Sequence, residues 1–321
     1  MLEVAIPPPG RPAPRAFWSR LQGTAATLWR GKNSRIPQLP LTVFADLKEF
    51  LAHREAFAPI YDERYRLLTE ISRGTYPLVI RGYCVCCRRM TDFTTDPQAQ
   101  GVEPGAMPNW REGLICPRCT LNSRTRAVGH LMQRTVGTER GTRVYLTEQV
   151  SALYRWVRRR YPRTVGSEYL RDGTHKGGRN GKGIRHEDLT DLSFADESLD
   201  ALVSLDVLEH IPEFHRALAE CARVLAPGGK LLFSVPFHRE PNHLLRARVK
   251  DDGGIEHIHP PEYHGDPLNP QGCLCFHHFG WDMLDFLKQA GFRQAVVYSI
   301  WSPELGYLAN PGDLLTFSAV K

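Results

Sequence analysis

From Arg143 onward the chain alternates short apolar runs with helix-length segments, and that alternation restricts what it can build. RVYLT (143–147) reads as a strand, Ser151 caps a helix running to about Arg160, and TVGSE (164–168) reads as a second strand. A polar, Gly-rich run, DGTHKGGRNGKG, makes a loop before a short third strand, IRHED (184–188). ALVSLD (201–206) is nearly all apolar, as expected of a strand buried on both faces. The next helix places Phe214, Leu218, Cys221, Ala222 and Leu225 on one face and stops at Pro227-Gly228-Gly229. KLLFSVPF (230–237) is a fifth strand, and an irregular stretch, 238–279, interrupts the alternation. A helix from Trp281 to Ala290, ended by Gly291, precedes a terminal strand pair, AVVYSIW (295–301) and LLTFSAV (314–320). Strands and helices in this order predict a mainly parallel sheet with helices on both faces.

Open α/β sheets bind ligands beyond the carboxyl ends of their strands. Here those ends carry acids: Glu148 just past the first strand, Glu168 on the second, Asp188 on the third and Asp206 on the fourth. A carboxylate accepts hydrogen bonds from both hydroxyls of a ribose, and Glu168 lies 20 residues beyond Glu148, the spacing of a nucleoside-binding acid. Asp188 is placed to accept from an exocyclic adenine amine, with Leu189 against the ring. Acids without a Gly-rich phosphate cradle fit a ligand that has ribose and adenine but no pyrophosphate. S-adenosylmethionine is such a ligand. Taken singly, each acid fits a helix cap or a pairing with nearby Arg equally well.

HEDLTDLSFADESLDALVSLDVLEHIPEFHRALAECARVLAPGGKLLFSVPF (186–237) closely resembles class I S-adenosylmethionine-dependent methyltransferases of the type 11 group. FGWDMLDFLKQAGF (279–292) is similar to that family's last helix before the closing strands. The resemblance implies an α/β Rossmann-like fold whose seven-stranded sheet has its last strand antiparallel. It further implies that Glu168 binds ribose, that Asp188 and Leu189 meet adenine, and that Asp206 lies near the methionine end. One departure stands out. Where the family has a Gly-rich turn after strand one, this chain has Leu146-Thr147-Glu148-Gln149-Val150-Ser151. Either another loop meets the cofactor, with Glu148 holding its amino group, or the domain no longer binds it.

A helical and cysteine-bearing region comes first. Residues 1–40 are rich in Pro, Arg and Gly and read as an extended arm. Residues 42–73 read as two helices separated at Pro59, one with Phe44, Leu47, Phe50 and Leu51 on a face, the other with Tyr61, Tyr65 and Leu68. Cys84-x-x-Cys87 and Cys116-Pro-Arg-Cys119 then pair as two knuckles able to deliver four thiolates to one tetrahedral zinc, a structural site. The 28-residue gap between them is longer than a usual ribbon spacing, and Cys86 is an alternative first-knuckle ligand. Reduced free thiols are the plain alternative. The basic segment Asn122-Ser123-Arg124-Thr125-Arg126 either faces a substrate or pairs with acids. The expected domains are therefore an arm (1–40), a helical region (41–82), a cysteine module (83–126) and a methyltransferase domain (127–321) with a substrate insertion at 238–279.

That insertion carries His238, His243, His257, His259, His264, His277 and His278, with Cys273 and Cys275. Methyl transfer to a hydroxyl is helped by a general base, and histidine has a suitable pKa. His210, just past the fourth strand, is the first candidate, with His257 and His259 as alternatives; a structural hydrogen bond at a helix start competes for His210. The expected activity is methyl transfer to a small-molecule or sugar hydroxyl. An RNA methyltransferase, with the zinc module and basic arm on phosphate, is a second reading, and a non-catalytic interaction protein a third. The net charge of +6 permits nucleic acid without demanding it. No apolar run reaches bilayer length and the N-terminus lacks a signal-like apolar core, so a cytoplasmic protein away from membranes is expected. Oligomeric state is left open by the sequence.

Overall fold

The computed structural model describes residues 37–74, 77–96, 102, 106–137, 139–310 and 312–321. The arm expected over 1–40 therefore falls, apart from residues 37–40, outside the described residues. The chain forms two compact units. One gathers the described residues up to Leu41 with His53–Leu131 and Ile300–Leu314; the other gathers Thr42–Ala52, Met132–Ser299 and Leu315–Lys321. Neither is continuous in sequence.

In chain order the first elements are β1 (Leu41–Phe44), α1 (Leu47–Ala56), α2 (Ala58–Ser72), the hairpin strands β2 (Leu78–Cys84) and β3 (Arg89–Thr95), α3 (Trp110–Gly113) and α4 (Ser123–Thr135). Next come β4 (Arg143–Leu146), α5 (Ala152–Arg160), β5 (Arg163–Gly166), β6 (Leu199–Leu205), α6 (Phe214–Val224) and β7 (Leu225–Ser234). Six short strands follow: β8 (Leu244–Leu245), β9 (Ala247–Val249), β10 (Ile255–His257), β11 (Tyr263–His264), β12 (Cys273–Leu274) and β13 (His277–His278). The chain closes with α7 (Met283–Gln289), β14 (Gln294–Ile300) and β15 (Leu314–Val320).

The larger unit is built on a seven-stranded, Rossmann-like sheet of order β1-β14-β15-β7-β6-β4-β5. Strands β5, β4, β6 and β7 run parallel, and β15 runs antiparallel to β7. Strand order reverses at β4, with β5 on one side and β6 on the other, which opens the ligand crevice of such sheets at the carboxyl ends of these strands. Leu202, Leu231, Phe233, Phe317 and Ala319 form the centre of the core, covered by Phe214, Leu218 and Cys221 of α6. Those three positions follow the i, i+4, i+7 rule for one helical face. Ser151 caps α5 by accepting from the Tyr154 amide at 3.0 Å.

Two sequence expectations change. The seventh strand is not IRHED: residues 184–188 make only isolated bridges, Glu168 to His186 in parallel and Arg179 to Arg185 and Asp188 to Asp191 antiparallel. The Gly-rich loop explains it, because Gly177, Gly178 and Asn180 fold back and take the backbone hydrogen bonds of Ile184 and His186. The seventh strand is instead β1, on the opposite edge, where a helix was expected. The helix starts late because Asp46 and Glu49 form a reciprocal cap: Asp46 Oδ1 accepts from the Glu49 amide and Glu49 Oε2 from the Ala45 amide, both at 2.8 Å. The β-branched pair Thr42-Val43 is left extended. Lesser shifts occur at Leu225, which leaves the helix for β7, and at Pro227-Gly228-Gly229, which makes an irregular stretch within β7 with Gly228 at φ +79°.

Gly166 ends β5 where nothing larger fits. A Cβ there would lie 2.5 Å from the Tyr154 ring and 2.7 Å from the Glu148 carbonyl oxygen. Gly166→Ala is expected to lower stability by about 1–3 kcal/mol, the usual cost of overpacking, read as a lower urea midpoint at an unchanged slope. A neutral result would mean that the loop after β4 yields freely.

Candidate active site and cysteine cluster

Beyond β4 the chain runs Thr147-Glu148-Gln149-Val150 without a glycine, and Glu168 holds this loop. Its Oε1 accepts the Gln149 amide at 2.7 Å and the Val150 amide at 2.9 Å. Burial pushes the Glu168 carboxyl upward, and these two amides oppose the shift. Both bonds go to one oxygen, so Oε2 has no protein hydrogen bond among the described residues. The Gln149 side chain ties the loop to the Gly-rich segment, accepting from the Arg185 amide at 2.8 Å and donating to the Gly183 carbonyl at 3.1 Å. Glu148 is half-buried in the same loop.

Asp188 builds a turn, its Oδ1 accepting from the Thr190 amide at 2.8 Å and hydroxyl at 2.7 Å. Leu189 is 6% exposed and belongs to the core cluster. Asp206 follows β6 with φ +53° and accepts from the Ser234 hydroxyl at 2.7 Å. A non-glycine residue in this left-handed region is uncommon and costs of order 1–3 kcal/mol, and such strain gathers at functional positions. The strand ends thus bring Glu148, Glu168 and Asp206 to one edge of the sheet, with Asp188 on the turn beyond β5.

His210 lies in a single 3-10 turn, Leu208–His210. Its Nδ1 donates to the Leu274 carbonyl at 2.8 Å, and burial holds its pKa below the ordinary value. His257 is exposed on the β9–β10 hairpin, paired with Ala247. The insertion at 238–279 is not irregular throughout: it folds as three short antiparallel pairs, β9–β10, β11–β12 and β8–β13. The residue that sequence reasoning passed over is Glu209. It is fully buried, and burial raises its carboxyl to about 7. The only sequence signal for it was the acid in Val207-Leu208-Glu209-His210, which reads like an ordinary helix-start residue.

In the smaller unit the two cysteine knuckles meet. Cys84 and Cys87 flank the turn between β2 and β3, and Cys116 and Cys119 flank a second turn held by the Thr120 amide donating to the Cys116 carbonyl at 2.9 Å. Cys84 Sγ lies 3.8 Å from Cys119 Sγ, and Cys87 Sγ 3.9 Å from Cys116 Sγ. A tetrahedral ion with metal–sulfur bonds of about 2.3 Å sets its sulfurs about 3.8 Å apart. Cys86 Sγ lies 3.8 Å from the Arg126 carbonyl oxygen and is not one of the four sulfurs that converge. The segment 122–126 works inside this unit. Asn122 accepts from the Thr125 amide, Arg124 pairs with Glu112 at 2.8 Å, and Arg126, fully buried, donates to the carbonyls of Leu114, Leu121 and Gly306. These two arginines are therefore not available to a phosphate backbone.

Residues 139–233 match the model of a family described as a methyltransferase domain. A malonyl-(acyl-carrier protein) O-methyltransferase of Methylococcus capsulatus is 41% identical over 85 residues, 26% of this chain and 30% of the relative. A ubiquinone biosynthesis O-methyltransferase of Hahella chejuensis is 39% identical over 62 residues, 19% of this chain and 24% of the relative. This chain thus spans less than a third of the length of these curated relatives. Among solved structures, an S-adenosylmethionine dependent methyltransferase from Mesorhizobium loti is similar with a TM-score of 0.35 at 19% identity, covering 56% of this chain and 91% of that one. Among the described residues no helix is long and apolar enough to cross a membrane.

Burial also pushes His277 down to about 4, so the fold holds it neutral. The unfolded chain takes up the proton first, near pH 6.5; stability is full above that pH and is lost progressively as pH falls toward 4. The expected loss is about 3 kcal/mol, read from urea midpoints between pH 7 and pH 4. His277→Leu should flatten that slope, and an equal slope in both proteins would show that other groups carry the acid response.

Proposed function

We propose that the chain is an S-adenosylmethionine-dependent methyltransferase acting on a small-molecule or sugar hydroxyl. The observation that carries this reading is Glu168 at the switch point of the sheet, with one carboxylate oxygen spent on the loop after β4 and the other open. The chain lacks the Gly-rich turn; Glu168 takes its place as the organiser of the loop. The match over 139–233 and the matched O-methyltransferases support methyl transfer as the reaction class.

The bound cofactor supplies a methyl group on a positively charged sulfur. The chain's own residues do the rest. Oε2 of Glu168 accepts from ribose hydroxyls, and Asp188 keeps one oxygen beyond its turn for an adenine amine. Glu148 and Asp206 put negative charge where the amino group and sulfonium need it. The insertion at 238–279, folded beyond β7, forms the wall against which the acceptor is oriented. His210, neutral and with Nδ1 committed to Leu274, keeps a lone pair on Nε2, which faces Glu209 Oε1 at 3.7 Å. His257, exposed on its hairpin, has no side-chain hydrogen bond among the described residues.

Titration calorimetry with S-adenosylmethionine and S-adenosylhomocysteine tests this directly. Both should bind, and Glu168→Ala should weaken them at least tenfold, about 1.4 kcal/mol. Absence of heat with either ligand, or equal affinity in the variant, would overturn the reading.

For the smaller unit, the four-sulfur geometry supports a structural zinc held by Cys84, Cys87, Cys116 and Cys119. The donor set fits. Hydrogen bonding among these crowded thiols pulls the Cys116 pKa down and pushes those of Cys84 and Cys119 up. A divalent cation lets all four ionise together. Metal analysis is expected to find zinc in the wild type and in Cys86→Ser and to lose one equivalent in Cys119→Ser, with a fall in melting temperature. Zinc lost from Cys86→Ser, or kept in full by Cys119→Ser, would count against this ligand set.

A further inference from the structure

Glu209 is a buried carboxylate of the larger unit with imidazoles near it and no close hydrogen bond. Its side chain is fully buried, and neither carboxylate oxygen has a hydrogen-bond partner among the described residues. A buried carboxylate in that condition is costly and is held in place by something. Two ring nitrogens face Oε1: His264 Nδ1 at 3.4 Å and His210 Nε2 at 3.7 Å. Both distances exceed the 2.7–2.9 Å of a charge-assisted hydrogen bond.

The opposite nitrogen of each ring is already engaged. His210 Nδ1 donates to the Leu274 carbonyl, which can only accept. His264 Nε2 donates to Glu262 Oε1 at 3.0 Å. The neutral form of His210 therefore points a lone pair at Glu209, whereas His264, whose pKa Glu209 and Glu262 raise to about 9, carries a proton toward it. The His210 lone pair still faces the buried carboxylate, and Asp206 adds like charge nearby. A proton on His264 Nδ1 relieves one contact and leaves the His210 lone pair against the same oxygen. A divalent cation relieves all of them. Bonds of about 2.0–2.2 Å to nitrogen and oxygen in tetrahedral array place ligand atoms about 3.3–3.6 Å apart, close to what is seen.

We propose that Glu209, His210 and His264 form a second metal site, binding a zinc-class divalent cation through two imidazoles and one carboxylate. The three ligand atoms lie within 4.8 Å of one another. Leu274 and Glu262 fix the rings from behind, the carbonyl and carboxylate support that metal-binding histidines use. Two ligands come from the turn after β6 and the third from β11 of the insertion, so the cation ties the insertion to the sheet edge. Three protein ligands leave a fourth position for an oxygen from outside. Resting on the methyl-transfer reading, that oxygen belongs to the acceptor, and His210 is a ligand in place of a base.

The test needs neither cofactor nor acceptor. Full-length protein stripped with a chelator is titrated with zinc, and wild type is compared with Glu209→Gln and His264→Gln. Wild type should bind one equivalent more than the four-cysteine site takes, and each variant should lose or weaken that equivalent at least tenfold. Glu209→Gln keeps the shape of a buried side chain, and His264→Gln changes a partly exposed one, so circular dichroism should show both folded. Equal zinc stoichiometry and affinity in wild type and in folded His264→Gln would overturn the site and leave a proton between His264 and Glu209. Zinc bound here without S-adenosylmethionine binding would sink the proposed reaction and keep the metal site; the reverse result would do the opposite.

Discussion

The larger unit depends on how Glu168 holds the loop after β4. Parallel sheets of this kind usually let backbone approach a ligand through glycines at the first turn. Here the turn has ordinary side chains, and an acid from the next strand end takes its amides. One carboxylate oxygen receives both the Gln149 and Val150 N–H groups. That leaves the loop's shape set by a carboxylate from the end of the next strand, and it explains why Gly166 must stay small: the Glu148 carbonyl and the Tyr154 ring close over it. Loop, strand end and helix start are one assembly.

The smaller unit follows a different rule, with buried polar groups supplying the order. Arg126 lies under the Phe93 ring, 4.1 Å from its centre, and gathers three carbonyls from separate segments. Ser123 does the same for Gly306 and Leu308, donating to their carbonyls and accepting from the Leu308 amide at 2.8 Å. These bonds join the cysteine-bearing turns to residues far along the chain, and they engage the basic segment 122–126 inside the unit. The four thiols sit at the spacing a single ion imposes. Hydrogen-bonded carbonyls and one ion can hold such a unit where apolar area is limited.

The insertion after β7 is the part where charge and burial pull against each other. Glu209, His264, Glu262 and His278 form a continuous chain of acids and imidazoles, with Glu262 reaching both His264 at 3.0 Å and His278 at 3.1 Å. Arg246 joins it 3.2 Å from Glu262, so its outer end is paired, while its inner end is buried where a missing partner costs most. The proposed cation would sit at that buried end. The same cation would present an oxygen-binding position beside the strand ends that carry Asp206 and Glu168.

Much of this was legible in the residues. Apolar runs buried on both faces, ALVSLD above all, and amphipathic spacing in 214–224 are local signals, and they placed the parallel strands, the helices and the acids at the strand ends. CxxC spacing marked the thiol quartet because both turns are short and self-contained. What the residues left open were questions of partnership. Whether 184–188 joins the sheet depended on whether the Gly-rich loop would take its hydrogen bonds first. Whether 41–44 is strand or helix depended on a cap three residues on and a free sheet edge. Cys86 and Cys84 differ in direction and not in type. Leu189 packs in the core cluster, and periodicity alone does not say which buried surface a side chain meets. Glu209 was invisible for the same reason: a carboxylate in a turn looks solvated until the fold closes over it, and only burial makes its missing partner count.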